Sequence, residues 1–289
     1  MIRTIVVIGT GLIGTSVALS ARRAGVTVFL SDRDPEAARL AEAMDAGVAC
    51  APPRQADLAV LAVPPSAVGP VLRDAQLRRL ASGYTDVASV KGEPERAVLS
   101  LAPDPAAYIG GHPMAGRERS GPLAARADLF AGRPWVLSPS ERTSPDAAER
   151  ARTLVELCGA VPVVLQSRVH DEAVALTSHV PHLVASLMAA RLTDGSEQAR
   201  TLAGRGVRDV TRIAAGDPGL WSDIVRANAP AIAPVLRNLQ ADLSRLAQAV
   251  EELADPACEG RPAALRTVVD LLSRGVAGVS EIRHGDEDR

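Results

Sequence analysis

Seven runs of apolar and β-branched residues divide the first half of the chain and predict strands. They cover residues 2–8, 26–30, 57–63, 84–87, 108–110, 135–137 and 161–165. Runs that keep apolar residues at successive positions are typical of strands buried on both faces of a parallel sheet. Helical patterns lie between them at 15–25, 34–46 and 141–158. This alternation predicts a doubly wound α/β sheet.

The pattern changes near residue 168, where strand-like runs stop and helical periodicity takes over. Helices are predicted at 170–192, 197–202, 220–253 and 262–272. The change predicts an α/β domain over residues 1–167, followed by an all-helical domain over residues 168–289.

Composition narrows the class of protein. With 289 residues, 47% of them hydrophobic, the chain is long enough for two domains with a sizeable core. A net charge of -2 argues against a dedicated nucleic-acid or membrane surface, and no apolar run reaches the ~18 residues that span a bilayer. Cys50, Cys158 and Cys258 lie far apart and have no metal-ligand spacing. We therefore expect a cytoplasmic protein that acts on a small molecule.

A glycine motif, GTGLIG at residues 9–14, joins the first strand to the first helix. In this context, the first glycine permits a tight turn, the second lets the backbone approach a pyrophosphate, and the third allows close helix packing. Asp32 follows Gly14 by 18 residues, near the spacing of the acid that binds a ribose 2′-hydroxyl, which favours NAD. Arg33 keeps NADP open. The predicted cofactor contacts are Gly9, Thr10, Gly11, Leu12, Ile13, Gly14, Asp32, Arg33, Val63 and Pro64.

The segment 110–121, GGHPMAGRERSG, is the first candidate for the chemistry. It places the imidazole of His112 among glycines, and we expect it to form a loop rather than a core strand. Ser89 and Lys91 follow the strand 84–87 and should lie at the same edge of the sheet. Lys91 is the single lysine among 32 basic residues, which indicates a position where a compact ammonium differs from a guanidinium.

The helical half contributes a second group of candidates. His179 and His182 lie three residues apart on one predicted helix, and the absence of a third ligand nearby disfavours a metal site. Arg208 and Arg212 offer guanidinium groups suited to carboxylates. Trp221 is either a core residue or a substrate contact.

Together these motifs resemble the prephenate/arogenate dehydrogenase family of tyrosine biosynthesis. The resemblance rests on GTGLIGTS, DVASVKG, GGHPMAGRERSG, SHVPH and RDVTRIAAGDPGLW, which occur in this order along nearly the whole chain. It implies that His112 accepts the proton of the substrate's ring hydroxyl, that Ser89 contacts the same hydroxyl, and that Arg212 grips a carboxylate. Further substrate contacts are expected at Lys91, Glu118, which would gate the pocket, His179, His182, Arg208 and Trp221.

The resemblance also implies an activity and an assembly. The expected reaction is the NAD-dependent oxidative decarboxylation of prephenate to 4-hydroxyphenylpyruvate, and the expected assembly is a homodimer through the helical domain, without a C-terminal ACT domain. Arogenate and 4-amino-4-deoxyprephenate remain alternative substrates. A nucleotide-sensing protein without activity and a hydroxyacid dehydrogenase with Lys91 as its base are rival classes, and the joint presence of His112, Ser89 and Arg212 counts against the first.

Overall fold

The computed structural model describes residues 2–116 and 121–287, with side chains as far as Ile282. The strands are β1 Thr4–Ile8, β2 Thr27–Ser31, β3 Ala56–Leu61, β4 Ala81–Asp86, β5 Tyr108–Pro113, β6 Pro134–Ser138 and β7 Val161–Val164. They form one sheet in the order β2-β1-β3-β4-β5-β6-β7, in which only the β5–β6 pair is antiparallel. The predicted Rossmann-type α/β fold is confirmed.

Helices cover both faces of the sheet. They are α1 Leu12–Arg23, α2 Pro35–Ala43, α3 Val68–Leu77, α4 Gly92–Leu101 and α5 Pro145–Leu157. Alternate residues of a strand point to opposite faces, so Ile5 packs in one core with α1 and α5, while Val6 packs in another with α3 and α4. The sequence patterns did not predict α3 and α4, which are only ten residues long each.

The second half is helical, as predicted. Its elements are α6 Ser167–Val174, a π-helical turn Ala175–His179, α7 Val180–Thr193, α8 Glu197–Thr201, α9 Arg205–Thr211, a 3-10 turn Arg212–Ala215, α10 Pro218–Ala227, α11 Ala229–Ala254 and α12 Arg261–Glu287. The single helix predicted over 220–253 is wrong, because the chain leaves helical geometry at Asn228 (φ -112°, ψ 18°). Pro181 lies two residues after the end of the π-helical turn, and its missing N–H favours such an irregularity.

By internal contacts the chain forms two compact units, residues 1–232 and residues 233–289. The first includes α6 to α10 because they pack against the α/β part; Ile224 of α10, for example, packs on Val90. The domain division at residue 167 remains a prediction from the change of pattern. All the candidate site residues described here lie in the first unit.

The expectation that no apolar stretch is long enough to span a bilayer is wrong by length and composition, because the helical stretch Ser167–Thr193 reaches a mean hydropathy of 1.4. It nevertheless buries ionisable side chains, among them His170, Asp171 and His179, in contact with the α/β part of the chain. Those contacts attach one face of the stretch to the α/β part of the first unit.

The expectation that the His112 segment is a loop is wrong for its first part. Residues 110–113 form the end of β5, with His112 opposite Val136 of β6. A side chain at position 111 would place its Cβ 2.5 Å from the carbonyl oxygen of Asp86. Glycine is therefore needed here for close strand packing, rather than for freedom to approach a ligand.

We predict that Gly14→Ala lowers the melting temperature by roughly 2–12 °C. The added Cβ would lie 1.9 Å from the carbonyl oxygen of Gly9, overpacking costs ~1–3 kcal/mol, and each kcal/mol corresponds to ~2–4 °C for a domain of this size. Gly11→Ala is the matched control, because its Cβ would meet nothing within 4 Å. Equal melting temperatures for the two variants in a thermal unfolding experiment would contradict this packing role.

Candidate active site

The carboxyl ends of β1, β2 and β3 converge on the glycine turn. The amide of Gly9 donates to the carbonyl of Ser31 (2.8 Å), and the amide of Ala62 donates to the carbonyl of Ile8 (2.7 Å). Gly9 has a φ of +102°, and a Cβ there would lie 2.1 Å from the carbonyl oxygen of Ala62. The turn therefore requires glycine for both conformation and space.

The first turn of α1 begins without a side-chain cap. Its N-cap is Gly11, which provides no side-chain cap, and the space around Gly11 is open. The backbone amides of the first helical turn, which includes Leu12 and Ile13, therefore retain hydrogen-bonding capacity next to the positive end of the helix dipole. This combination is suited to an anion such as a pyrophosphate.

Asp32 lies next to this turn. Its Oδ2 accepts from the amide and the hydroxyl of Thr10 (2.6 and 3.0 Å), and its Oδ1 accepts from the amide of Asp34 (2.9 Å). Arg33 is exposed, while Val63 and Pro64 follow β3 on the same edge of the sheet. The residues predicted to hold the cofactor are thus brought together by the topology.

A cavity of about 270 Å³ adjoins Asp32. Its lining includes apolar groups, Leu30, Pro35 and Ala38, and the guanidinium group of Arg39. An apolar wall beside a carboxylate is a suitable setting for an adenosine group.

His112 belongs to a chain of hydrogen-bonded side chains. Its Nδ1 lies 2.8 Å from Nε2 of His170, whose Nδ1 lies 2.8 Å from Oδ1 of Asp171. Oδ1 and Oδ2 of Asp171 also accept from the amides of Lys91 and Gly92, both at 2.8 Å. One carboxylate therefore anchors the imidazole pair and the start of α4.

The environment of His112 keeps its imidazole neutral. Burial lowers its pKa well below 6.5, and the nearby His170, Lys91 and His179 lower it further. A neutral imidazole has one unprotonated ring nitrogen, so this side chain is ready to accept a proton at physiological pH.

Lys91 is buried, with 1% of its surface exposed. Its Nζ donates to Oδ1 of Asp86 and to the carbonyl of Gly111, and burial lowers its pKa although Asp86 raises it. The structure thus gives this ammonium two internal partners, and the substrate contact expected at Lys91 remains a prediction. It also explains why lysine stands here in an arginine-rich chain, since the compact ammonium is enclosed on all sides.

His179 is held in one tautomer by Asn228. The amide nitrogen of Asn228 donates to the carbonyl of Asp171 (2.8 Å) and to Nδ1 of His179 (3.1 Å). The proton of neutral His179 therefore lies on Nε2, which is buried and has no hydrogen-bond partner within the described part of the chain. Burial lowers the pKa of His179 to about 4. An unsatisfied buried donor of this kind is suited to a polar ligand.

His182 stacks on Trp221, with ring centroids 3.5 Å apart and an interplanar angle of 11°. A Cβ on Gly216 would lie 2.4 Å from the indole nitrogen, so glycine is needed for this stacking. The 3-10 turn that begins at Arg212 packs on α7, which carries His182. Arg212 therefore lies in the segment next to the stacked pair, and Arg208 is on the preceding helix α9.

The structure describes two further candidates, Ser89 and Glu118, in less detail. Ser89 is partly buried in the connection between β4 and α4, two residues before Lys91. Glu118, the predicted gate, lies outside the described residues.

The sequence patterns missed four residues of this network: Asp86, His170, Asp171 and Asn228. Asp86 is the last residue of β4, a position that could have singled it out at the ligand-binding edge. The adjacent pair His170-Asp171, at a helix start, was a second available signal.

Known proteins with similar sequences decide the family. Residues 17–164 match the model for the nucleotide-binding domain of prephenate dehydrogenase, and residues 166–259 match the model for its dimerization domain. The chain belongs to the prephenate dehydrogenase family. It is 42% identical to a protein of Streptomyces niveus named probable prephenate dehydrogenase NovF, over 97% of this chain and 77% of that protein.

Two other relatives of the family extend the comparison. A cyclohexadienyl dehydrogenase of Zymomonas mobilis is 34% identical over 85% of this chain and 88% of its own length. The prephenate dehydrogenase of Aquifex aeolicus, solved in complex with hydroxyphenyl propionate and NAD+, has the same fold, with a TM-score of 0.82 and 24% identity over 97% of this chain and 98% of that one.

We predict that the stability that His179 contributes is lost in acid. Its folded pKa of about 4 lies below the unfolded value of 6.5, so the contribution is complete above pH 6.5 and is lost as the pH falls through 4. Gln at this position can accept from Asn228 without titrating. The difference in melting temperature between the parent and His179→Gln should therefore shrink from pH 7.5 to pH 4.5. Parallel melting curves across this range would contradict the prediction.

Proposed function

We propose that this chain catalyses the NAD-dependent oxidative decarboxylation of prephenate to 4-hydroxyphenylpyruvate. The observation that carries the proposal is a neutral, half-buried imidazole, His112, hydrogen-bonded to His170 at the edge of the sheet where the glycine turn also lies. The reaction needs a base for the ring hydroxyl, a hydride acceptor and a cationic group for carboxylates.

The glycine turn and its surroundings fit NAD. The uncapped first turn of α1 and the open space at Gly11 would hold the pyrophosphate, and Asp32 would accept from the ribose hydroxyls. A carboxylate at that position repels a 2′-phosphate, which favours NAD over NADP. When bound, NAD supplies the acceptor for the hydride that leaves the substrate ring.

His112 acts as the general base. It accepts the proton of the ring hydroxyl as the C–O bond becomes a carbonyl and the hydride leaves the same carbon. The ring carboxylate then departs as carbon dioxide, and the electrons of the broken C–C bond aromatise the ring to a phenolate. The phenolate oxygen takes the proton back from His112. The partly buried Ser89, in the connection after β4, contacts the same hydroxyl. The protein mainly has to hold the ring carbon in place against the cofactor.

The remaining candidates recognise the rest of the substrate. Arg212 and Arg208 supply guanidinium groups for carboxylates, while the unpaired Nε2–H of His179 is a donor for the keto acid side chain. The stacked pair of His182 and Trp221 forms an apolar wall. Glu118 belongs to the same proposal as a gate.

The comparisons support this choice of substrate and assembly. Relatives named prephenate dehydrogenase from Lactococcus lactis and Bacillus subtilis are each 30% identical to the chain. The match to a dimerization domain supports a homodimer through the helical part. Action on a small molecule in the cytoplasm, without nucleic acid or membrane, belongs to the same proposal.

A parallel steady-state assay tests the proposal. NADH formation from prephenate, arogenate and 4-amino-4-deoxyprephenate should be fastest with prephenate, and NADP should be a poor replacement for NAD. Higher kcat/KM with arogenate or the amino analogue would transfer the assignment to that substrate.

We expect His112→Asn to lower kcat by roughly 10²-fold or more, as for loss of a general base. NAD affinity, measured by fluorescence titration, should change little. Arg212→Ala should instead act mainly through KM for prephenate. If His112→Asn kept the parent kcat, the site assignment would be wrong. If activity survived in His112→Asn but was lost in Lys91→Met, the lysine would be the base.

The pH profile of kcat/KM should reflect the lowered pKa of His112. Only the neutral imidazole accepts a proton, and since the pKa of the free enzyme's base lies well below 6.5, kcat/KM should stay level as the pH falls from 8 past 6.5. A profile that declines with a midpoint at or above 6.5 would show that His112 is not perturbed as the structure indicates.

A further inference from the structure

The hydrogen bonds from Asp171 through His170 to His112 have a direction. Asp171 accepts from the amides of Lys91 and Gly92 as well as from His170. Burial raises its pKa, but the hydrogen bonds from His170 and from these amides outweigh that effect, so its pKa lies below the usual value. An ionised carboxylate can only accept. The Nδ1 of His170 must therefore carry a proton and donate it.

The position of the proton on the His170 ring then determines the tautomer of His112. The ring of His170 is 0% exposed and lies between Asp171 and His112. A neutral ring with its proton on Nδ1 has a lone pair on Nε2, and this atom lies 2.8 Å from Nδ1 of His112. His112 is the donor across this contact, which leaves its Nε2 unprotonated.

We propose that His170 and Asp171 are positioning residues that hold His112 in its Nδ1–H tautomer and so make Nε2 the atom that receives the substrate's proton. The assignment rests on the proposed function for its catalytic meaning, whereas the tautomer is a property of the free protein. When Nε2 takes the hydroxyl proton, Nδ1–H continues to donate to His170, and Asp171 remains ionised. The proton goes no further than His112.

The hydrogen bonds from Asp171 to His112 select a tautomer, which apolar packing around the ring would not do. A histidine base in the other tautomer presents an N–H to the hydroxyl and cannot accept its proton. Partners behind a functional histidine that fix its tautomer and ring orientation typically matter by ~10–100-fold. Asp171 also anchors the start of α4, so a change at Asp171 would disturb two functions, and His170 is the cleaner position to test.

The kinetic test compares two substitutions of similar size. The amide of Gln can donate to Asp171 and accept from His112, whereas Leu can do neither. We expect His170→Leu to lower kcat by ~10–100-fold with unchanged KM for prephenate and unchanged affinity for NAD, and we expect His170→Gln to restore most of the loss. Equal kcat values in the parent and His170→Leu would overturn the proposal, as would equal losses in Leu and Gln variants that melt at the parent's temperature.

The direct test reads the tautomer without substrate. Because the chain has five histidines, two-dimensional ¹H–¹⁵N spectra of the imidazoles can be assigned with single His→Gln variants. The Nδ1 of His112 should appear protonated and its Nε2 unprotonated in the parent and in His170→Gln, and the two tautomers should mix in His170→Leu. An Nε2–H tautomer in the parent would overturn the proposal. Absence of turnover with every cyclohexadienyl substrate, together with the expected tautomer, would instead refute the proposed function.

Discussion

The buried carboxylate of Asp86 is the group on which the position of the candidate site depends. It lies at the end of β4 with 0% of its surface exposed. It accepts hydrogen bonds from Nζ of Lys91, the hydroxyl of Tyr108, and the amides of Ala88 (2.7 Å) and Gly111 (3.3 Å). A buried carboxylate is costly unless it is paired and hydrogen-bonded. The connection after β4 and the strand that carries His112 are therefore held in place together.

A second carboxylate holds the same region from the helical side. Asp171 of α6 accepts from the amides of Lys91 and Gly92 and from His170. Residues 88–92 thus lie between a carboxylate at the sheet edge and one on α6. His112 is attached to both, through the neighbouring Gly111 and through the ring of His170. Fully satisfied buried networks of this kind make a local structure rigid and specific.

The free-energy cost of burying charged groups indicates that the ion pair of Lys91 and Asp86 positions the site more than it stabilises the fold. Replacing a buried ion pair by apolar side chains is often neutral or stabilising, so the pair of Lys91 and Asp86 is weak evidence for a stabilising role. The ion pair instead contacts the backbone next to the catalytic candidate, since Lys91 donates to the carbonyl of Gly111, the residue before His112. Gly110 fits the same interpretation, because a Cβ there would lie 3.2 Å from Cδ of Lys91.

The sequence by itself determined the features that depend on neighbouring residues. Strand and helix periodicity, the glycine turn at 9–14 and the position of Asp32 are local, because backbone sterics and side-chain alternation act over a few residues. The motif order also identified the family of the chain, and it predicted His112 as the base. Only the tertiary structure placed His112 on a strand, since its hydrogen bonds come from pairing with β6, which the glycine-rich segment does not reveal.

The residues that hydrogen-bond to His112 and Lys91 could also be found only from the tertiary structure. His170 lies 58 residues from His112 in the sequence, and Asp171 lies 80 residues from Lys91. No local pattern links them, because their pairing results from the packing of α6 against the sheet edge. The end of α10 at Asn228 has a similar origin, since the Asn228 side chain is engaged by Asp171 and His179. The sequence predicted the reacting group, and long-range packing determines which residues contact its Nδ1.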